Sequence, residues 1–97
     1  MNIQPLEKEF EGTGDVKGFK FQQIEETEEG FIYQTDDGYY EVFKRELSPK
    51  CIDFENRIYS ETDFKVRYPK TNDFGKWAWC TKSLEKAREI LEGFKEN

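Results

Sequence analysis

The sequence predicts an α+β domain: an antiparallel meander sheet of four to six strands with one C-terminal amphipathic helix packed on one face. Three observations predict it. Runs in which every second residue is apolar recur between residues 16 and 80, bounded by turn residues. Asp36-Asp37-Gly38 separates two of these runs as a hairpin turn, because glycine tolerates positive φ and aspartate hydrogen-bonds the turn backbone. After Ser83 the apolar period changes to three and four residues, the spacing of one helical stripe.

Residues 1–15 read as a flexible N-terminal arm and residues 16–97 as a single domain. Pro5 opens a short helical turn in which Leu6 and Phe10 share a face, and Gly12-Thr13-Gly14 stops it. The glycines at 12, 14 and 18 do not form GxGxxG, and a strand follows them, so no phosphate-binding loop is expected. Phe19 and Phe21 alternate with Lys20 and Gln22 in a first strand. Ile24 then breaks parity, which marks a bulge or a strand end. Residues 25–30 are a polar turn, and Phe31, Tyr33 and Thr35 alternate with Ile32 and Gln34 in a second strand. A third strand over 39–46 puts Tyr39, Glu41 and Phe43 on one side and Tyr40 and Val42 on the other.

Ser48-Pro49 ends that strand, since proline cannot donate into a ladder. Ile52, Phe54, Ile58 and Tyr59 follow without a clean period, so residues 47–61 read as a long loop holding a short strand. Residues 62–68 alternate again, with Phe64, Val66 and Tyr68 opposite Lys65 and Arg67, and residues 69–73 turn the chain back. The strand expected over 74–80 sets Trp77 and Trp79 on one side and Lys76, Ala78 and Cys80 on the other, nearly apolar on both. Ser83 is the expected N-cap, with Glu85 in the first turn. Leu84, Ala87, Ile90, Leu91 and Phe94 make the stripe, and Arg88 and Glu92 stand in i,i+4 register. One helix covers one sheet face. The other needs cover.

Composition narrows the function classes. The chain has 97 residues, enough for one core, and its aromatic content of 16% compensates for an apolar content of 35%. No apolar run is long enough to span a bilayer, and the N-terminus lacks the basic and apolar regions of a signal peptide, so a cytoplasmic protein is expected. Two distant cysteines, Cys51 and Cys80, then read as free thiols. Histidine is absent, which removes Ser-His-Asp and Cys-His catalysis and every His-based metal site. No carboxylate pair has a spacing that places it in a cleft, so the reading is of a non-enzyme without cofactor or metal.

The net charge of -6 is unevenly distributed. Glu25, Glu26, Glu28, Glu29, Asp36, Asp37 and Glu41 fall in a segment with no lysine or arginine. The plain reading is a solvated edge whose charge discourages aggregation. The sharper one is an acidic surface for a basic partner, in imitation of nucleic-acid phosphates. Lys65, Arg67 and Lys76 near aromatics hint at a single-strand platform, but the acidic total opposes phosphate binding, so no nucleic-acid partner is expected. For Trp77 and Trp79 the alternatives are a place in the core or a partner surface shared with Tyr39 and Phe43. The expected function is therefore a protein-interaction module or self-association, as a homodimer through the uncovered sheet face or an edge.

Tyr68-Pro69, the run Phe74-Gly75-Lys76-Trp77-Ala78-Trp79 and the helix start Ser83-Leu84-Glu85-Lys86-Ala87 resemble a group of small uncharacterised bacterial and phage proteins. The resemblance covers about the last third of the chain, extends to the strand from Tyr39 to Arg45, and implies a stand-alone domain with no activity to carry over. The same closing strand and helix are similar to the end of WGR domains. Their Trp-Gly-Arg signature is missing and the charge opposes their DNA-binding role, so that role is not carried over.

Overall fold

A strand buried on both faces sits at the centre of the molecule. In a computed structural model that describes residues 2–12 and 18–96, β1 (Asn2–Gln4), β2 (Glu9–Glu11), β3 (Lys20–Glu26), β4 (Gly30–Thr35) and β5 (Tyr40–Lys44) come first. They are followed by β6 (Leu47–Asp53), β7 (Ile58–Val66), β8 (Ala78–Thr81) and the helix α1 (Leu84–Gly93). A five-stranded antiparallel sheet runs in the order β2-β3-β4-β5-β8, and a three-stranded sheet runs β1-β7-β6 with β1 parallel to β7. The fold is α+β, with the helix on one face of the larger sheet.

Local chemistry accounts for these elements. The parity break at Ile24 is a bulge: the β3–β4 register shifts between Gln23 and Glu25. At the β4–β5 turn Gly38 takes φ +89°, its N–H donates to the Thr35 carbonyl at 3.1 Å, and Asp36 accepts from the Lys20 N–H at 2.9 Å. Gly30 has a different reason to be glycine. A Cβ there would run into the Phe43 carbonyl oxygen, because β4 and β5 approach too closely for any side chain. Ser83 caps α1 by accepting the Lys86 N–H at 3.2 Å.

Two layers cover the larger sheet. Beneath α1, Ile32 and Val42 meet Ala87 and Leu91, with Ile24, Tyr40, Leu84, Ile90 and Phe94 at the margin. On the opposite face Phe21, Phe31, Tyr33, Phe43 and Ala78 pack with Val66, and Leu6, Phe10, Tyr68, Phe74 and Trp77 close over them. The second face thus has a lid made by the chain itself, from the N-terminal residues, the end of β7 and the segment after it. That corrects the expectation of an uncovered sheet face.

Other expectations change with it. Residues 2–4 and 9–11 are strands paired to β7 and β3 rather than a flexible arm or a helical turn, while the expected boundary at 15/16 lies outside the described residues. Residues 47–61 are β6 and the start of β7, a hairpin and not a long loop. Pro49 sits within β6, an edge strand, where its missing N–H leaves no ladder bond unmade. The expected Arg88–Glu92 pair is replaced by Arg88 with Glu25 at 3.5 Å and Lys95 with Glu92 at 3.6 Å.

Candidate functional site

The final strand begins at Ala78, not at residue 74, and this relocates the tryptophans. Gly75 takes φ +92° and the chain turns through Trp77 before β8 starts. Trp77 therefore leaves strand parity and packs edge-on to Phe43 at 6.2 Å, with the Arg67 guanidinium 5.3 Å over its ring. Trp79, opposite Val42, lies on the helix side against Phe94 at 5.5 Å. The indoles occupy opposite faces of the sheet. Phe43 is fully buried, and Tyr39 is half-buried with the Lys82 ammonium 5.0 Å over its ring. These four side chains form no common surface, and Phe43 belongs to the core.

The acidic residues also separate. Glu25, Glu26, Glu28 and Glu29 gather at the β3–β4 turn, whereas Asp36 and Asp37 lie at the other end of β4, about 17 Å away at strand rise. Arg88 pairs with Glu25 at 3.5 Å and Arg45 with Glu26 at 3.1 Å, and Arg45 also donates to the backbone carbonyls of Thr27 and Glu28. Asp37 is held by the Thr35 hydroxyl.

Glu41 turns inward. Its neighbours on the same side of the sheet are Tyr33 on β4 and Cys80 on β8, the residues opposite it in register. The Tyr68 hydroxyl donates to Glu41 Oε1 at 2.6 Å. Burial raises the carboxyl above its ordinary value, the Tyr68 hydrogen bond pulls it back down, and the Asp37 charge pushes it up again. Burial also raises the Tyr68 and Tyr33 phenols and the Cys80 thiol, the last with help from the Glu41 and Asp37 charges. Tyr33 donates to the Glu7 carbonyl at 2.7 Å and accepts from Gln23 at 3.1 Å, which pins the N-terminal segment over this face.

The Glu41–Tyr68 pair stands at the edge of a cleft of about 660 Å³ between the N-terminal segment and the turn after β7. Strand parity placed Glu41 beside Phe43, but nothing in the sequence signalled a phenol 27 residues away coming to meet it. Among the described residues no three His, Cys, Asp or Glu side chains group to hold a metal ion, and no helix is long and apolar enough to cross a membrane.

A second feature is the β6–β7 hairpin. Of the seven large apolar side chains exposed among the described residues, all but Phe19 belong to the small sheet or its turn. Phe54 is 85% exposed and Ile52 68%. Ile58 and Tyr59 are neighbours on β7 and project to opposite faces, yet both are exposed, so both sides of the hairpin end are bare. The turn itself is ordered by Asp53, which accepts from the Glu55 and Asn56 backbone N–H groups at 3.1 and 3.3 Å and from the Asn56 side chain at 2.7 Å. The Asn56 side chain, aided by these backbone donors, holds the Asp53 carboxyl below its ordinary value.

Compared with known proteins, the chain matches no family model, no curated protein and no solved structure.

Proposed function

We propose that this protein is an interaction module that self-associates through the end of its β6–β7 hairpin. The observation that carries the reading is the gathering of Ile52, Phe54, Ile58 and Tyr59, all exposed, on one hairpin with an ordered turn. Apolar area of this kind is stabilised by removal from water, at about 25 cal/mol per Å² before the costs of association. A second copy fits because the flanking charges are of both signs. The hairpin carries Lys50 and Arg57 as well as Glu55 and Glu61, so a two-fold contact can set charges of opposite sign against one another. Backbone pairing along the β6 edge is disfavoured by Pro49 and by two register shifts, so side chains carry the contact.

Light scattering at two concentrations tests this. The wild-type mass rises from one chain toward two with concentration, and a variant with Ile52→Ser and Phe54→Ser stays at one chain. A wild-type protein that holds the single-chain mass at both concentrations overturns the reading. Charge reversal at Glu28, Glu29, Asp36 and Asp37 leaves a hairpin contact intact; loss of association in that variant favours the acidic surface instead.

A further inference from the structure

The cleft beside Glu41 combines features that select a ligand. Its walls carry the rings of Phe10, Phe21, Tyr68 and Phe74, three of them half-buried and so reachable. Glu41 lies at its inner edge, with Oε1 taken by the Tyr68 hydroxyl. No donor among the described residues reaches the other carboxylate oxygen, and no buried side-chain oxygen among them is left without a partner, so that oxygen is exposed; Glu41 lines both this cleft and a smaller one beside Phe19, Asp37 and Tyr39. The rim is acidic on balance, with Glu7 and Glu11 against Lys70.

We propose that this cleft binds an organic monocation with an apolar body, of the alkylammonium class, its charge against Glu41 and its alkyl groups against the aromatic wall. Ring faces attract a desolvated cation, and a carboxylate with one free oxygen completes the complement. A neutral apolar ligand of the same shape leaves that oxygen desolvated and unpaired, and an anion meets the Glu41 and rim charges. A half-buried carboxylate that burial disfavours regains interaction when a cation arrives, which makes the site a receiver rather than a filled structural pair. The same chemistry comes from a free small amine or from a lysine side chain of another protein. The site is separate from the hairpin, and variants of Ile52 and Phe54 leave it unchanged.

Nuclear magnetic resonance titration of the full chain tests the proposal with three probes. Choline represents the free small cation, a Gly-Lys-Gly peptide with blocked ends represents a protein's lysine, and 3,3-dimethylbutan-1-ol is the neutral isostere of choline. Saturable shifts at Tyr68 and Phe10 are expected with choline or with the peptide at millimolar strength, and the tighter of the two identifies the source. Glu41→Gln, which still accepts the Tyr68 hydrogen bond, weakens binding at least about tenfold. Lys70→Glu, an exposed rim change, strengthens it about two- to threefold. Equal binding of choline and its neutral isostere overturns the proposal. So does the absence of saturable shifts with both cations up to about 50 mM.

Discussion

Tyr68 shows how much one side chain can organise. Its ring stands steeply against Phe10, Phe21, Tyr33 and Phe43, with centroids 5.2, 5.7, 5.1 and 4.8 Å away. Edge-on aromatic pairs contribute about 0.5–1.5 kcal/mol each beyond burial, so the ring matters more to stability than its hydroxyl. Tyr68→Phe is expected to cost only about 1 kcal/mol in chemical denaturation, and to raise the Glu41 carboxyl further because its hydrogen bond is gone. Glu41 itself works against the fold at neutral pH. Its carboxyl binds a proton more readily folded than unfolded, so its contribution is present below the ordinary value of 4.5 and is lost as pH rises through the folded value. Glu41→Gln is accordingly more stable than wild type at pH 7, and the gap closes on acidification; a gap independent of pH contradicts the assignment. Two-residue alternation did align Glu41 with Tyr39 and Phe43. Its charge suggested the surface, and only a long-range partner makes the inward position tolerable.

Elements with strong local signals were legible. The α1 stripe, the Ser83 cap, the turn at Gly38 and the bulge at Ile24 all follow from side chains within a few residues of one another. Elements whose periodicity is interrupted were not. The β6–β7 pairing shifts register twice, with extra residues first on β7 and then on β6, which scrambles alternation, and Gly75 takes the chain out of strand before Trp77, which reverses the face of that indole. The parallel pairing of β1 with β7 has no local signal at all. The approach of β4 to β5 supplies a test at this scale. Gly30→Ala places a Cβ against backbone that must shift, and is expected to cost about 1–3 kcal/mol or more. Gly93→Ala, at a helical position where a Cβ meets nothing within 4 Å, is expected to gain about 0.5–1 kcal/mol. Denaturation midpoints moving in opposite directions check the pair, and a neutral Gly30→Ala contradicts the close approach.

At the scale of the molecule, periodicity along the sequence offers one lid for a sheet that is apolar on two sides. The imbalance was real, but its remedy is discontinuous. The second lid is assembled from Leu6 and Phe10 early in the chain and Val66, Tyr68, Phe74 and Trp77 late in it; the Phe10 and Tyr68 rings meet across it, and the Tyr33 hydroxyl fastens the Glu7 carbonyl to the sheet. No window along the sequence contains such a lid, whereas a helical lid occupies one window and declares itself by period. Apart from Phe19, the large apolar side chains left exposed among the described residues lie on the small sheet or its turn. If the N-terminal strands are part of the lid, removing residues 1–11 uncovers the face of Phe21, Tyr33 and Tyr68. Full burial of a large apolar side chain is worth about 1.5–3 kcal/mol, and Leu6 and Phe10 are each half-buried, so with the lost strand pairing the truncation is expected to cost about 2–4 kcal/mol. Binding of an apolar dye rises with it, because the rings beneath are then open to water. A truncated chain that unfolds at the same denaturant concentration as the full one, with no gain in dye binding, shows that the face is closed without its N-terminal half.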